Sequence, residues 1–185
     1  PVESFLDGVV ATVAAKDPVL VIVNDGMDGG IFEELAQDMS HRGWMRWEDP
    51  SGIGKGSLLS ALPSVTSCSR TALLSGRMAS GASNTEKTGF SKHPALLAVS
   101  LATKPPVLFH KAELADAAAA GLSQSVRESL RDSGQRIVGV VVNAVDDHLD
   151  KAEQLRLKWT VDGFRVLDAL LDEALMVGRA VILTS

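Results

Sequence analysis

Val19-Leu20-Val21-Ile22-Val23 runs unbroken between Pro18 and the turn-like Asn24-Asp25-Gly26. A short, continuously apolar and mostly β-branched run has no polar face to give to water. It therefore reads as a strand buried on both sides, as in a parallel sheet covered by helices. Outward from it, Ile137 to Val142 is the strongest strand in the chain, Ala180 to Leu183 is a last apolar strand, and Val107-Leu108-Phe109 is a weaker one after a proline pair. Trp44 to Trp47 reads as a further strand closed by Asp49-Pro50-Ser51-Gly52.

Helical spacing fills the intervals. Phe5, Val9 and Val13 predict an opening helix through about Lys16, and Ile31, Leu35, Ala36 and Met39 predict another up to His41. Thr66 to Leu74 is a short helix ending at Gly76, and Ser123 to Arg131 is a helix with a serine N-cap. Val161 to Val177 is a long amphipathic helix (Phe164, Leu167, Leu170, Leu171, Leu175) with Gly178 as its C-cap. Ser51 to Pro63 is rich in Gly and Ser and reads as a loop. Met78 to Pro94 reads as a long surface segment of the kind used for lids or binding loops. Buried strands alternating with helices predict an α/β fold, a mostly parallel sheet with helices on both faces, in a single domain over 1–185.

Composition narrows the function classes. Hydrophobic residues make up 45% and charged residues 22% of the 185 residues, a globular rather than a disordered balance. No apolar run approaches the roughly 20 residues of a membrane span, and no secretory signal pattern opens the chain. The single cysteine, Cys68, excludes an internal disulfide framework and suits a reducing compartment. A formal charge of −5 argues against a broad nucleic-acid surface but leaves room for a phosphoester in a local pocket. The chain starts at Pro1 and stops at Ser185 directly after an apolar run, which reads as an excised fragment of a longer protein.

In open α/β sheets ligands gather beyond the carboxyl ends of the strands. That rule selects Asn24 and Asp25, then Asn143, Asp146, Asp147 and His148. Asp25 is either a carboxylate placed to hold a cation or one half of an Asp-Gly turn. Thr66 stands where a loop enters a helix, where free N–H groups and the helix dipole attract phosphate. Its hydroxyl is a nucleophile if a metal lowers its pKa, or else an N-cap. Arg70, one turn on, is placed to reach a phosphate oxygen bidentately. Asp146, Asp147 and His148 are metal ligands for a second cation or part of a solvated acidic loop. Ser51-Gly52-Ile53-Gly54-Lys55-Gly56-Ser57 lacks the spacing of a phosphate-binding P-loop, which disfavours a nucleotide-binding module.

Five segments, in order, resemble the PglZ family of the alkaline phosphatase superfamily. They are Val23-Asn24-Asp25-Gly26-Met27; Leu62-Pro63-Ser64-Val65-Thr66-Ser67 with Arg70 and Ser75-Gly76; Pro105 to Lys111; Val141 to Asp150; and Gly178 to Ser185. The resemblance implies an alkaline-phosphatase-like core and zinc-dependent hydrolysis of phosphoesters or phosphodiesters, with two zinc ions in the whole domain. It makes Asp25 a metal ligand, Thr66 the nucleophile, and Asp146, Asp147 and His148 further candidate ligands. It also implies a cytoplasmic role in bacterial phage defence of the BREX and phage-growth-limitation type, alongside other proteins of such a system. In the family the last strand runs into an Asp-His-Gly motif, and here the chain stops at Ser185. The expectation is a fragment that folds but binds metal poorly and turns over little substrate. The alternative is a non-catalytic interaction domain of a defence or signalling protein, in which Asp25 and Thr66 are only turn and cap.

Overall fold

The computed structural model describes residues 1–47, 60, 65–114, 121–143 and 159–185. After helical turns over Val2–Ser4 and Leu6–Val10, the described elements are α1 (Ala11–Ala14), β1 (Val19–Asn24), α2 (Gly29–His41), α3 (Thr66–Ser75), α4 (Ser83–Ser91) and α5 (Pro94–Ala98). These are followed by β2 (Val107–Phe109), α6 (Lys111–Leu114), α7 (Gln124–Arg131), β3 (Ile137–Val142), a helical turn over Val161–Gly163, α8 (Arg165–Met176) and β4 (Ala180–Thr184). The helix expected over Val161 to Val177 is thus broken at Phe164, whose backbone is not helical. Four of the five strands expected from the sequence form. They make one sheet in the order β2-β3-β1-β4, and every pairing is parallel. This is the α/β architecture expected from the sequence. No helix among the described residues is long and apolar enough to cross a membrane.

The burial of the two central strands explains why they are apolar up to Asn24, the last residue of β1. Leu20, Ile22, Val138, Val140 and Val142 face one side, against α2, α7 and α8 through Ile31, Leu35, Leu130, Leu167 and Leu170. Val19, Val21, Val23, Ile137 and Val141 face the other, against Phe5, Leu6, Leu73, Leu74, Phe90 and Leu96. Each such aliphatic side chain contributes about 1.5–3 kcal/mol by leaving water, so the core rests on β1 and β3. Gly139 leaves a gap in β3 on the second face; a Cβ there would lie 2.9 Å from the Phe90 ring and 2.8 Å from Leu108. Phe90 fills that gap.

Three expectations are corrected. Trp44 to Trp47 is not a strand. Gly43, with φ +89°, turns the chain back after α2, Trp44 N–H bonds to Met39 O at 3.1 Å, and Met45 is 92% exposed. Aromatic strand propensity is overridden here by the turn at Gly43. Met78 to Pro94 is not a surface segment either, because it holds α4, whose Glu86 and Phe90 are fully buried. In the opening helix the buried residues are Phe5, Leu6, Val10, Ala11 and Ala14, while Val9 and Val13 are only partly buried. A wider-than-α turn over Leu6–Val10 shifts the face from the one expected.

Helices α3 and α4 pack through a glycine. A Cβ on Gly89 would lie 2.5 Å from Ser75 Cβ and 2.7 Å from its Cα, a clash with backbone rather than with a flexible tip. Gly89→Ala is therefore expected to lower stability by about 1–3 kcal/mol in urea titration, despite the better helix propensity of alanine. An unchanged midpoint would show that the two helices are not locked together.

Candidate functional site at the carboxyl end of the sheet

Strand β1 ends at Asn24, and Asp25 N–H still bonds to Val142 O at 2.9 Å, so Asp25 is held at the lip of the two central strands. Gly26, with φ +80°, then turns the chain sharply away. Asp28 accepts from Ile31 N–H at 2.9 Å and caps α2. The Asp25 carboxylate is left facing the mouth of the site with a partly exposed side chain.

Arg70 on α3 meets it. Arg70 Nη1 donates to Asp25 Oδ2 at 2.7 Å, and Arg70 Nε donates to Glu86 Oε1 on α4 at 3.0 Å. Glu86 also accepts from Thr71 Oγ1 at 3.3 Å, and its second oxygen lies 2.6 Å from His110 Nε2, just past the end of β2. His110 N–H bonds to Glu113 Oε2 at 3.0 Å, and Glu113 pairs with Lys87 at 2.6 Å. A chain of charge-assisted bonds thus runs Asp25–Arg70–Glu86–His110 across four elements.

Burial pushes the Glu86 carboxyl up, but hydrogen bonds from His110 and Arg70 outweigh it and hold the group below its usual range. Glu86 is therefore ionised and accepts only, so His110 Nε2 carries the proton between them. For Glu113, burial likewise raises the pKa, and the Lys87 bond and the His110 N–H lower it further than burial raises it. Two carboxylates, Asp25 and Glu86, thus share the one guanidinium of Arg70.

Thr66 is the first residue of α3, one turn before Arg70 and on the same face. The cap position belongs to Val65, with no side-chain cap bond, so Thr66 does not take the N-cap role. Its side chain is exposed. Likewise Ser123 holds the cap position of α7, but its hydroxyl donates to Glu113 O at 2.6 Å instead of capping the helix.

Of the residues selected from sequence, the structure brings Asp25 and Arg70 together and sets Thr66 on Arg70's helix. Asp146, Asp147 and His148 lie outside the described residues, as does the Gly-rich stretch 51–57. Among the described residues no three His, Cys, Asp or Glu side chains gather as a metal cluster. The Asp25 carboxylate is a hard oxygen donor of the kind divalent cations take, and Asn24 Oδ1, next to it in the chain, is buried without a hydrogen-bond partner among the described residues.

Sequence reasoning missed Glu86 and His110. His110 lay within a quoted segment and directly after a strand, so the carboxyl-end rule had the means to select it. Glu86 gave no signal, because its helix went unrecognised.

The family description "BREX system PglZ alkaline phosphatase-like domain" matches residues 5–185. No curated protein gives a match.

Proposed function

The chain belongs to the PglZ family of BREX system alkaline phosphatase-like domains, and on that premise we propose that it is a zinc-dependent phosphoesterase core acting on phosphodiesters or phosphomonoesters, with Thr66 as the nucleophile. The observation that carries the reading is the meeting of Asp25 and Arg70 at the carboxyl end of β1, on the helix that Thr66 begins. Asp25, with Asp146, Asp147 and His148, would hold the metal. Zinc bound there supplies Lewis-acid polarisation and lowers the pKa of an oxygen nucleophile.

The remaining chemistry is the chain's own. The first-turn N–H groups of α3 and the Arg70 guanidinium receive phosphate oxygens. Thr66 Oγ bonds to phosphorus as the leaving oxygen departs, giving a phosphothreonine that water hydrolyses. The setting is cytoplasmic bacterial phage defence, in company with other proteins of the system. A second reading is a non-catalytic interaction domain. It draws support from Arg70 already facing two carboxylates.

The experiment is a single-turnover reaction of the zinc-treated protein with an aryl phosphodiester, quenched in acid and mapped by mass spectrometry. Phosphate on the peptide containing Thr66, lost when zinc is chelated, is the expected result. Zinc bound with no modified peptide would favour the interaction domain.

A further inference from the structure

Glu86 is the one fully buried carboxylate in the corner described above, and nothing in the proposed chemistry needs it to touch substrate. Its cost of burial is offset by three donors: Arg70 Nε, Thr71 Oγ1 and His110 Nε2. Two of these contacts have positional consequences. A guanidinium is a rigid planar fork, so fixing its Nε edge fixes the direction of both Nη groups. Arg70 Nη1 goes to Asp25, and Nη2 has no hydrogen-bond partner among the described residues. The Arg70 side chain is about one-fifth exposed.

His110 completes the arrangement. Its Nε2 holds the second Glu86 oxygen, and its backbone N–H bonds to Glu113. Helix α4, pressed onto α3 at Gly89, keeps Glu86 at this distance from Arg70.

We infer that Glu86, steadied by His110, is the positioning residue for Arg70: it clamps the Nε edge so that the Nη2 edge is presented to a phosphate oxygen of the substrate at the carboxyl end of β1. This rests on the phosphoesterase reading for the identity of the anion and on geometry alone for the clamp.

The test is a cycle of Glu86→Gln, Arg70→Gln and the double variant, each shown to be folded by thermal melt. Binding of inorganic phosphate to the zinc-treated protein is measured by calorimetry. Arg70→Gln is expected to weaken phosphate about 100-fold, the worth of a charge-assisted bond, and Glu86→Gln about 10-fold. The double variant should match Arg70→Gln alone, because Glu86 acts through Arg70. Additive losses, or wild-type affinity in Glu86→Gln, would overturn the inference. If Glu86→Gln does not fold, His110→Gln takes its place in the cycle, with a smaller loss that again vanishes beside Arg70→Gln.

If the wild type binds no phosphate, the phosphoesterase reading fails and the clamp is judged separately. A protected Arg70 Nε–H resonance, assigned by its absence in Arg70→Gln, should disappear in Glu86→Gln. Its survival there would refute the clamp.

Discussion

Thr66→Ala is expected to reduce zinc-dependent phosphodiester hydrolysis about 1000-fold or more, to the background rate, while leaving the fold unchanged. Loss of a nucleophile that acts as a unit with its surroundings typically costs at least this much. The structural side of the prediction is what makes the variant clean. Thr66 stands inside the first turn of α3 rather than at its cap, and it is exposed. Alanine is also the better helix former, by a few tenths of a kcal/mol. The melting temperature should therefore stay where it is or rise slightly. Thr66→Ser keeps a hydroxyl at the same place and should retain measurable hydrolysis. Activity within about 10-fold of wild type in Thr66→Ala would remove Thr66 from the chemistry and leave Arg70 with an anion-binding role only.

The same residue shows how far the sequence can be read. Thr66 was legible as the start of a helix at a loop boundary, and its spacing to Arg70 placed both on one face. The partner that Arg70 meets was not legible, because Asp25 lies 45 residues earlier and only the folded sheet brings them together. Strands β1 and β3 were readable because burial on both faces keeps Val19–Val23 and Ile137–Val142 free of polar side chains. Helix α4 was not, because it carries a single large apolar residue, Phe90, and is held by a glycine contact and by buried polar bonds around Glu86. Neither leaves a hydrophobic period. Trp44 to Trp47 failed for the opposite reason: local propensity pointed to a strand, and among the described residues the segment pairs with none. Recognition of the family was the stronger signal, and the match over residues 5–185 bears it out.

The segment Gly178-Arg179-Ala180 belongs to that resemblance, yet its work is structural. Arg179 is 4% exposed and lies just before β4, at the amino end of the sheet, away from Asp25. Its Nε donates to Leu130 O at 2.7 Å, and its Nη2 lies within reach of Ser129 O at 3.1 Å, Asp132 O at 2.9 Å and Gln135 O at 2.8 Å. These are carbonyls from the last turn of α7 and the turn that leads into β3. The helix has no glycine to close it there, so its terminal acceptors depend on the guanidinium, and the negative end of the helix dipole favours the charge. Burial lowers the Arg179 pKa, and the nearby Asp132 pulls it back up; an arginine in such a site stays protonated.

Arg179→Met removes the fork but keeps much of the aliphatic volume, leaving several buried carbonyls without donors. It is expected to destabilise the fold by about 3–5 kcal/mol in urea titration. Arg179→Lys should recover only part of this, since one ammonium cannot span acceptors arranged for a planar fork. A loss within about 1 kcal/mol in Arg179→Met would mean that water replaces the guanidinium at the α7 terminus. In variants that remain folded, phosphorylation of Thr66 should be unaffected, because Arg179 acts at the end of the sheet opposite the candidate site. The one resemblance segment thus separates into a residue kept for holding α7 to β4, and a strand, β4, that extends the sheet beside β1, at whose carboxyl end Asp25 stands.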